Sequence, residues 1–221
     1  MLLRIVLAMP RKSNEPSEPI FRFRRHEHLT RAGEPQDSIF CIEEGWVGRY
    51  TVLGAGRRQI TALYLPGDYC EPQWIIRPRS TESIIALTPV RAWCKPIAKL
   101  TEADRTSPDA RELLGAIPRI IERQSAWITA LGRKSAVERI SSLMVEFMDR
   151  MKGAGRSQSD RFPMPLTQSE IGDVVGLTPI HVNRVMKDLK NRGIIEARSR
   201  FVTVRDQAEL RAIANATGSL N

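Results

Sequence analysis

Between Ser38 and Cys94 the apolar positions fall in short runs, SIFCI, WVGRYTVL, QITALYL and SIIAL, each of strand length and rich in β-branched and aromatic residues. The stretches EEG, GAGRR, PGDY and RPRSTE punctuate them, and this alternation predicts an all-β region. Gly54-Ala55-Gly56 lies between two such runs and fits a hairpin loop, because glycine adopts positive φ at little cost. Strands this short and this closely spaced suggest a sandwich, barrel or jelly roll.

After Pro96 the period changes. From Pro108 onward apolar side chains recur in steps of four and three: Ala110, Leu114, Ile117, Ile121, Ile128 and Leu131, with Gln124 in the one missing place. That is a heptad seam, and a single polar residue in such a seam fixes the register of paired helices at some cost in stability. The other reading is a stripe that packs on the chain's own β-domain. Pro118 should bend this helix or delay its proper start. The helix is expected to stop at Gly132, since Ser135 with Glu138 forms a capping box for a new one and leaves a hinge around Arg133 and Lys134. The new helix carries Val137, Ile140, Met144, Phe147 and Met151 on one face and ends in the polar stretch KGAGRSQSDR.

Residues 166–195, LTQSEIGDVVGLTPIHVNRVMKDLKNRGII, are the most informative. Thr167 and Glu170 make a capping box for a short helix with Ile171, Val174 and Val175 as its apolar members. Gly176 permits a sharp turn, and Thr178-Pro179 supplies an N-cap and a favoured first helical residue for a second helix that runs to Gly193. Val182, Val185, Met186 and Leu189 form its buried face, which leaves Ile180, His181, Asn183, Arg184 and Lys187 outward. Two helices joined this tightly are the helix-turn-helix, whose second helix enters the DNA major groove. The segment IIEARSRFVTVRD alternates, contains Ser199 between Arg198 and Arg200, and reads as a β-hairpin wing beside the helix.

Charge sharpens this picture. The 221 residues carry 34 Lys and Arg against 25 Asp and Glu, a formal +9, which favours a polyanionic partner. From Thr178 to Arg205 seven basic residues face two acidic ones, so +5 arises from 28 residues. No apolar run approaches the roughly 18 residues that span a bilayer. MLLRIVLAMPRKSNEP, interrupted by Arg4, does not fit a signal peptide and reads as a terminal arm. The three cysteines, Cys41, Cys70 and Cys94, form no CxxC pair and suit a reducing cytoplasm.

The order of β-rich domain, seam helix and winged helix-turn-helix resembles the bacterial cyclic AMP receptor/fumarate-nitrate regulators, the Crp/Fnr family. EEGWVGRY, YLPGDYC and ALTPVRAW are similar to that family's β-roll, LGRKSAVERISSLM to its hinge and following helix, and residues 166–195 to its DNA reader. The resemblance implies an α+β chain: a cyclic-nucleotide-binding-like β jelly roll with an N-terminal arm (1–107), a long dimerisation helix (108–133) and a C-terminal winged helix-turn-helix (134–221). It implies a cytoplasmic homodimer that regulates transcription at an inverted-repeat operator in double-stranded DNA, with RNA polymerase a further partner open to such a regulator. The expected DNA-binding residues are Thr178, Ile180, His181, Asn183, Arg184, Lys187, Arg198 and Arg200, and the expected dimer interface is Leu114, Ile117, Ile121, Gln124, Ile128 and Leu131.

The departures bear on the effector. Cyclic-AMP-binding members have a Gly-Glu pair after the GD turn and later an Arg-Ser pair; here Glu71-Pro72 replaces the first, and Arg79-Ser80 is displaced by one position. Cyclic AMP is therefore not expected, although Arg79 and Ser80, with Gln124 and Ser125 on the long helix, form a possible effector site. Oxygen-sensing members hold an iron-sulfur cluster on an N-terminal cysteine cluster, and here the first cysteine is Cys41, so no cluster is expected either. His26 and His28 in RRHEHL lack a nearby third ligand and read as a solvated turn, so no metal is expected. Cys70 and Cys94, in or beside apolar runs, read as buried and inert. No catalytic signature is present, so the chain is read as no enzyme. The competing reading is a ligand-binding regulatory module that acts through protein partners, and it leaves Arg184 and its basic surroundings unused.

Overall fold

The computed structural model describes residues 19–102, 108–154 and 160–215. Among them one compact unit ends at Trp127 and the other begins at Ile128. The terminal arm lies outside the described residues.

The first unit contains β1 (Ile20–Phe23), β2 (His28–Thr30), β3 (Ser38–Glu44), β4 (Val47–Val52), β5 (Arg58–Tyr64), β6 (Ser83–Ala86) and β7 (Val90–Pro96), followed by α1 (Ile97–Glu102). The strands make two antiparallel sheets, ordered β2-β6-β4-β5 and β1-β7-β3. Ile39, Ile42, Val47, Tyr64, Trp74 and Ile84 belong to the core of this unit. The expected runs are β3 to β6, and the GAG segment is the β4–β5 loop, closed by a hydrogen bond from Leu53 N–H to the Arg57 carbonyl at 2.7 Å. A solvated turn at RRHEHL holds for His26, exposed at a φ of 66°, and fails for His28. His28 is half-buried in β2, its Nε2 2.8 Å from the Tyr50 hydroxyl, because pairing with β6 carries the chain into the sheet there.

Helix α2 (Pro108–Arg133) has two apolar faces one residue apart in register. Leu113, Ala116 and Ile120 are buried in the β-roll core, and Ala110, expected in the seam, is buried as well. The outward face keeps Leu114, Ile121 and Ile128 at 42%, 59% and 71% exposure, with Ile117, Gln124 and Leu131 half-buried. Pro118 does not delay the helix. It deprives the Leu114 carbonyl of its usual donor, but it is exposed and the helix runs through it to Arg133, one residue past the expected stop at Gly132.

The second unit contains α3 (Ala136–Gly153), β8 (Arg161–Pro163), α4 (Gln168–Val175), α5 (Pro179–Asn191), β9 (Ile195–Arg198), β10 (Phe201–Val204) and α6 (Gln207–Asn215). At the start of α3 the Ser135 N–H donates to Glu138 Oε2 at 2.6 Å, the return arm of the expected capping box. Ile140, Met144, Phe147 and Met151 are buried, and α3 packs on α6, α5 and α4. The β8-β10-β9 sheet makes the wing three-stranded. Among the described residues no helix is long and apolar enough to cross a membrane.

Candidate nucleic-acid interface

The site is built on α4 and α5. Thr167 N–H donates to Glu170 Oε2 at 2.7 Å and Glu170 N–H donates to Thr167 Oγ1 at 3.1 Å, so both orphan donors at the start of α4 are met within four residues. Gly176, in the left-handed region at φ 67°, ends α4. Gly172 is fixed by space: a Cβ there would lie 2.4 Å from the Leu177 carbonyl oxygen, where the two helices meet. Thr178 caps α5, its hydroxyl oxygen accepting from His181 N–H at 3.3 Å and lying 3.1 Å from His181 Nδ1. Val182, Val185 and Leu189 are buried beneath it, and Met186 is half-buried.

The outward face of α5 carries Ile180, Asn183, Arg184, Lys187, Asp188 and Asn191. Ile180 is 81% exposed, His181, Arg184 and Lys187 are exposed, and Asn183 is half-buried. At the wing tip Ser199 and Arg200 both take positive φ, 51° and 65°, between the paired residues Arg198 and Phe201. This is the two-residue hairpin turn that matches strand twist, made here without glycine. Arg184, Lys187, Lys190, Arg198 and Arg200 form no side-chain hydrogen bond or ion pair with any described residue, whereas Arg192 and Arg205 pair with Glu209 and Glu196 at 2.7 and 2.5 Å. The sequence missed Arg161 on β8, whose guanidinium lies 4.2 Å from the centre of the Phe201 ring.

The four possible effector residues divide differently. Ser80 is buried and its hydroxyl donates to the Glu82 carbonyl at 2.6 Å; its backbone and that of Arg79 bond within their own loop and to residues 33–35. The Arg79 side chain is exposed, Gln124 is half-buried and Ser125 is exposed on α2. What the sequence did not reveal is a buried polar network around Arg49. Arg49 on β4 holds Glu71 at 2.8 Å through Nη1, and its Nε lies 2.9 Å from Glu82 and 3.0 Å from the Thr61 hydroxyl. Tyr64 and Gln73 also donate to Glu71. Burial works to lower the Arg49 pKa, but Tyr64, Glu71 and Glu82 outweigh it and the net direction is upward. Burial, reinforced by Glu71, pushes the Tyr64 phenol well up. Arg49 stands two residues from buried Val47 and so faces inward on the same strand. All three cysteines are buried, and burial raises the Cys70 thiol well above its usual range, which favours the protonated form over the nucleophilic thiolate.

A tight two-helix turn with an outward basic face, a β-hairpin wing and a double-sheet roll before it define a DNA-binding transcription regulator with an N-terminal regulatory domain. Residues 138–213 match the Crp-like helix-turn-helix domain and residues 20–106 match the cyclic nucleotide-binding domain. The chain belongs to the Crp/Fnr family of transcription regulators. It is 28% identical over 192 residues to the transcriptional activator protein Anr of Pseudomonas aeruginosa, spanning 86% of this chain and 78% of the relative. It is 28% identical over 184 residues to the nitrogen fixation regulation protein FixK of Rhizobium meliloti, spanning 83% and 81%. The solved structure of FixK2 from Bradyrhizobium japonicum superposes with a TM-score of 0.80 at 25% identity, covering 91% of this chain and 99% of that one.

Proposed function

We propose that the chain works as a cytoplasmic homodimer that places one α5 in each half of an inverted-repeat operator, about 34 Å apart, and regulates transcription there without cyclic AMP. The observation that carries the DNA-reading role is the outward face of α5, where Arg184 and Lys187 are exposed and form no pair with a described residue. In this reading the Arg184 fork takes guanine O6 and N7, Ile180 offers apolar contact to a thymine methyl, and Lys187 with the wing arginines Arg198 and Arg200 grips phosphates. The outward face of α2, from Leu114 through Ile121 to Ile128, supplies the dimer seam. Contact with RNA polymerase and the absence of any enzymatic activity belong to the same proposal.

Against cyclic AMP stands the rearranged segment after the GD turn, where Glu71 takes up the Arg49 guanidinium with Tyr64 and Gln73 and leaves that cation committed to a carboxylate instead of a phosphate. Calorimetry on the full chain should show no micromolar binding; binding abolished by Arg79→Ala would refute this part. The DNA reading is tested by selecting operators from random duplexes with the parent, Arg184→Ala and Lys187→Ala. Arg184→Ala should lose about 1 to 3 kcal/mol per half-site and accept other bases in place of guanine. Lys187→Ala should weaken all sequences alike and flatten the salt dependence by about one counterion. An unchanged base preference in Arg184→Ala would sink the assigned role.

A further inference from the structure

We propose that Arg139 is a positioning residue that fastens the helix-turn-helix to the hinge at the end of α2, so that α5 follows the hinge without slack. The inference rests on α5 being the DNA reader. Helix α2 ends at Arg133 and α4 ends at Val175, and backbone carbonyls past a last helical turn lack intrahelical donors. Arg139, in the first turn of α3, joins two of them: its Nε donates to the Lys134 carbonyl at 2.8 Å and its Nη1 to the Val175 carbonyl at 3.3 Å. A planar guanidinium is suited to this, because its donors are fixed in a fork and its charge faces the negative ends of two helices.

Two more observations mark the same joint. A Cβ on Gly176 would lie 3.2 Å from Leu131 Cδ2 and 3.6 Å from Arg139 Nη1, so the turn of the helix-turn-helix sits directly on the last turn of α2. On the hinge itself, Lys134 Nζ donates to the Ser142 hydroxyl at 2.8 Å and to the Ala214 carbonyl at 2.6 Å, near the end of α6. Residues 131–139 are thus held by the turn through Arg139 and Leu131 and by α6 through Lys134. Helix α5 begins three residues after Gly176, and its direction is inherited from this joint. Removing the Arg139 fork leaves the Leu131 packing but frees the end of α4 to swing.

The test uses the full chain with nitroxide labels introduced at Arg133→Cys and Asn191→Cys, both exposed, and diluted with unlabelled chain so that pulsed electron paramagnetic resonance reads only distances within one molecule. The parent should give one narrow distance, Arg139→Gln a clearly broader distribution, and Arg139→Lys, which keeps the charge but not the fork, one in between. Unlabelled Arg139→Gln should bind the selected operator about tenfold more weakly, the scale of one charge-assisted hydrogen bond, with its guanine preference intact. A distribution as narrow in Arg139→Gln as in the parent overturns the proposal, and so does weakened binding with an altered base preference. If Arg139→Gln does not fold, Arg139→Lys decides in the same way. If Arg184→Ala keeps its base preference, the DNA reading fails, while the distance measurement still decides on Arg139.

Discussion

Ile121→Glu tests the dimer seam. Fully burying an isoleucine contributes about 1.5–3 kcal/mol. Ile121 is 59% exposed in a single chain, so covering the remainder contributes about 1–2 kcal/mol, and a twofold interface counts it twice. Two glutamates in place of those isoleucines must also be desolvated or held apart, so the loss should reach at least about 4 kcal/mol, roughly a thousandfold in the dimer dissociation constant. Sedimentation velocity across a concentration series reads this directly, and the loss should carry over to affinity for a full operator but not for a single half-site. The charge falls on a side chain that is exposed in the single folded chain, so the melting of the β-roll should fall only by the concentration-dependent share that dimerisation contributed. Ile120→Ala, one residue away but 7% exposed in the β-roll core, should do the reverse, costing about 2–5 kcal/mol of fold stability without selectively splitting the dimer. Sedimentation of Ile121→Glu indistinguishable from the parent would show that the outward face is not the seam.

Arg49→Met should destabilise the β-roll by about 3–5 kcal/mol in urea titration, because Glu71 is left a buried charge, and adding Glu71→Gln should recover part of it; a loss under about 1 kcal/mol would contradict the network's role. Burial and then Arg31 lower the His28 pKa, so the fold holds it neutral where the unfolded chain is already protonated. That contribution is present above about pH 6.5 and lost as pH falls to the depressed folded value; acid melts of the parent should fall away from those of His28→Gln in this window, and parallel curves would refute it. Arg200→Gly removes a side chain from positive φ, so the wing should gain roughly 0.5–1 kcal/mol in thermal melts while operator binding weakens, and unchanged affinity would remove Arg200 from the interface.

The DNA-reading half was legible because its signals are local. Thr167 with Glu170, Gly176, and Thr178 with Pro179 act within a few residues of one another, and each punctuates a helix whatever surrounds it. The β-roll strands were legible as runs, but not the short β1, whose IFRF contains an arginine, nor β8, whose three residues are a strand only through β10. On α2 periodicity was ambiguous: Leu113, Ala116 and Ile120 lie one residue before Leu114, Ile117 and Ile121, and only the β-roll surface decides which row it covers. The Arg49 network was out of reach for another reason. Glu71 and Glu82 lie 22 and 33 residues from Arg49 along the chain, and only strand pairing brings them to it.

The two units handle charge in opposite ways, and the difference follows burial. In the β-roll a buried guanidinium is met by two carboxylates and a hydroxyl, and one of those carboxylates takes two further donors from Tyr64 and Gln73, because an uncompensated charge there costs several kcal/mol. In the second unit the cations divide. Arg150, Arg192, Arg205 and Arg211 each have a carboxylate partner, while Arg184, Lys187 and Lys190 along α5 and Arg198 and Arg200 at the wing tip pair with no described residue. Gathering like charges on one surface lowers stability by self-repulsion, and placing an arginine at positive φ lowers it again. Both costs fall on the outward face of α5 and the wing, the surfaces that a duplex's phosphates would neutralise, so binding the polyanion returns what folding gave up there.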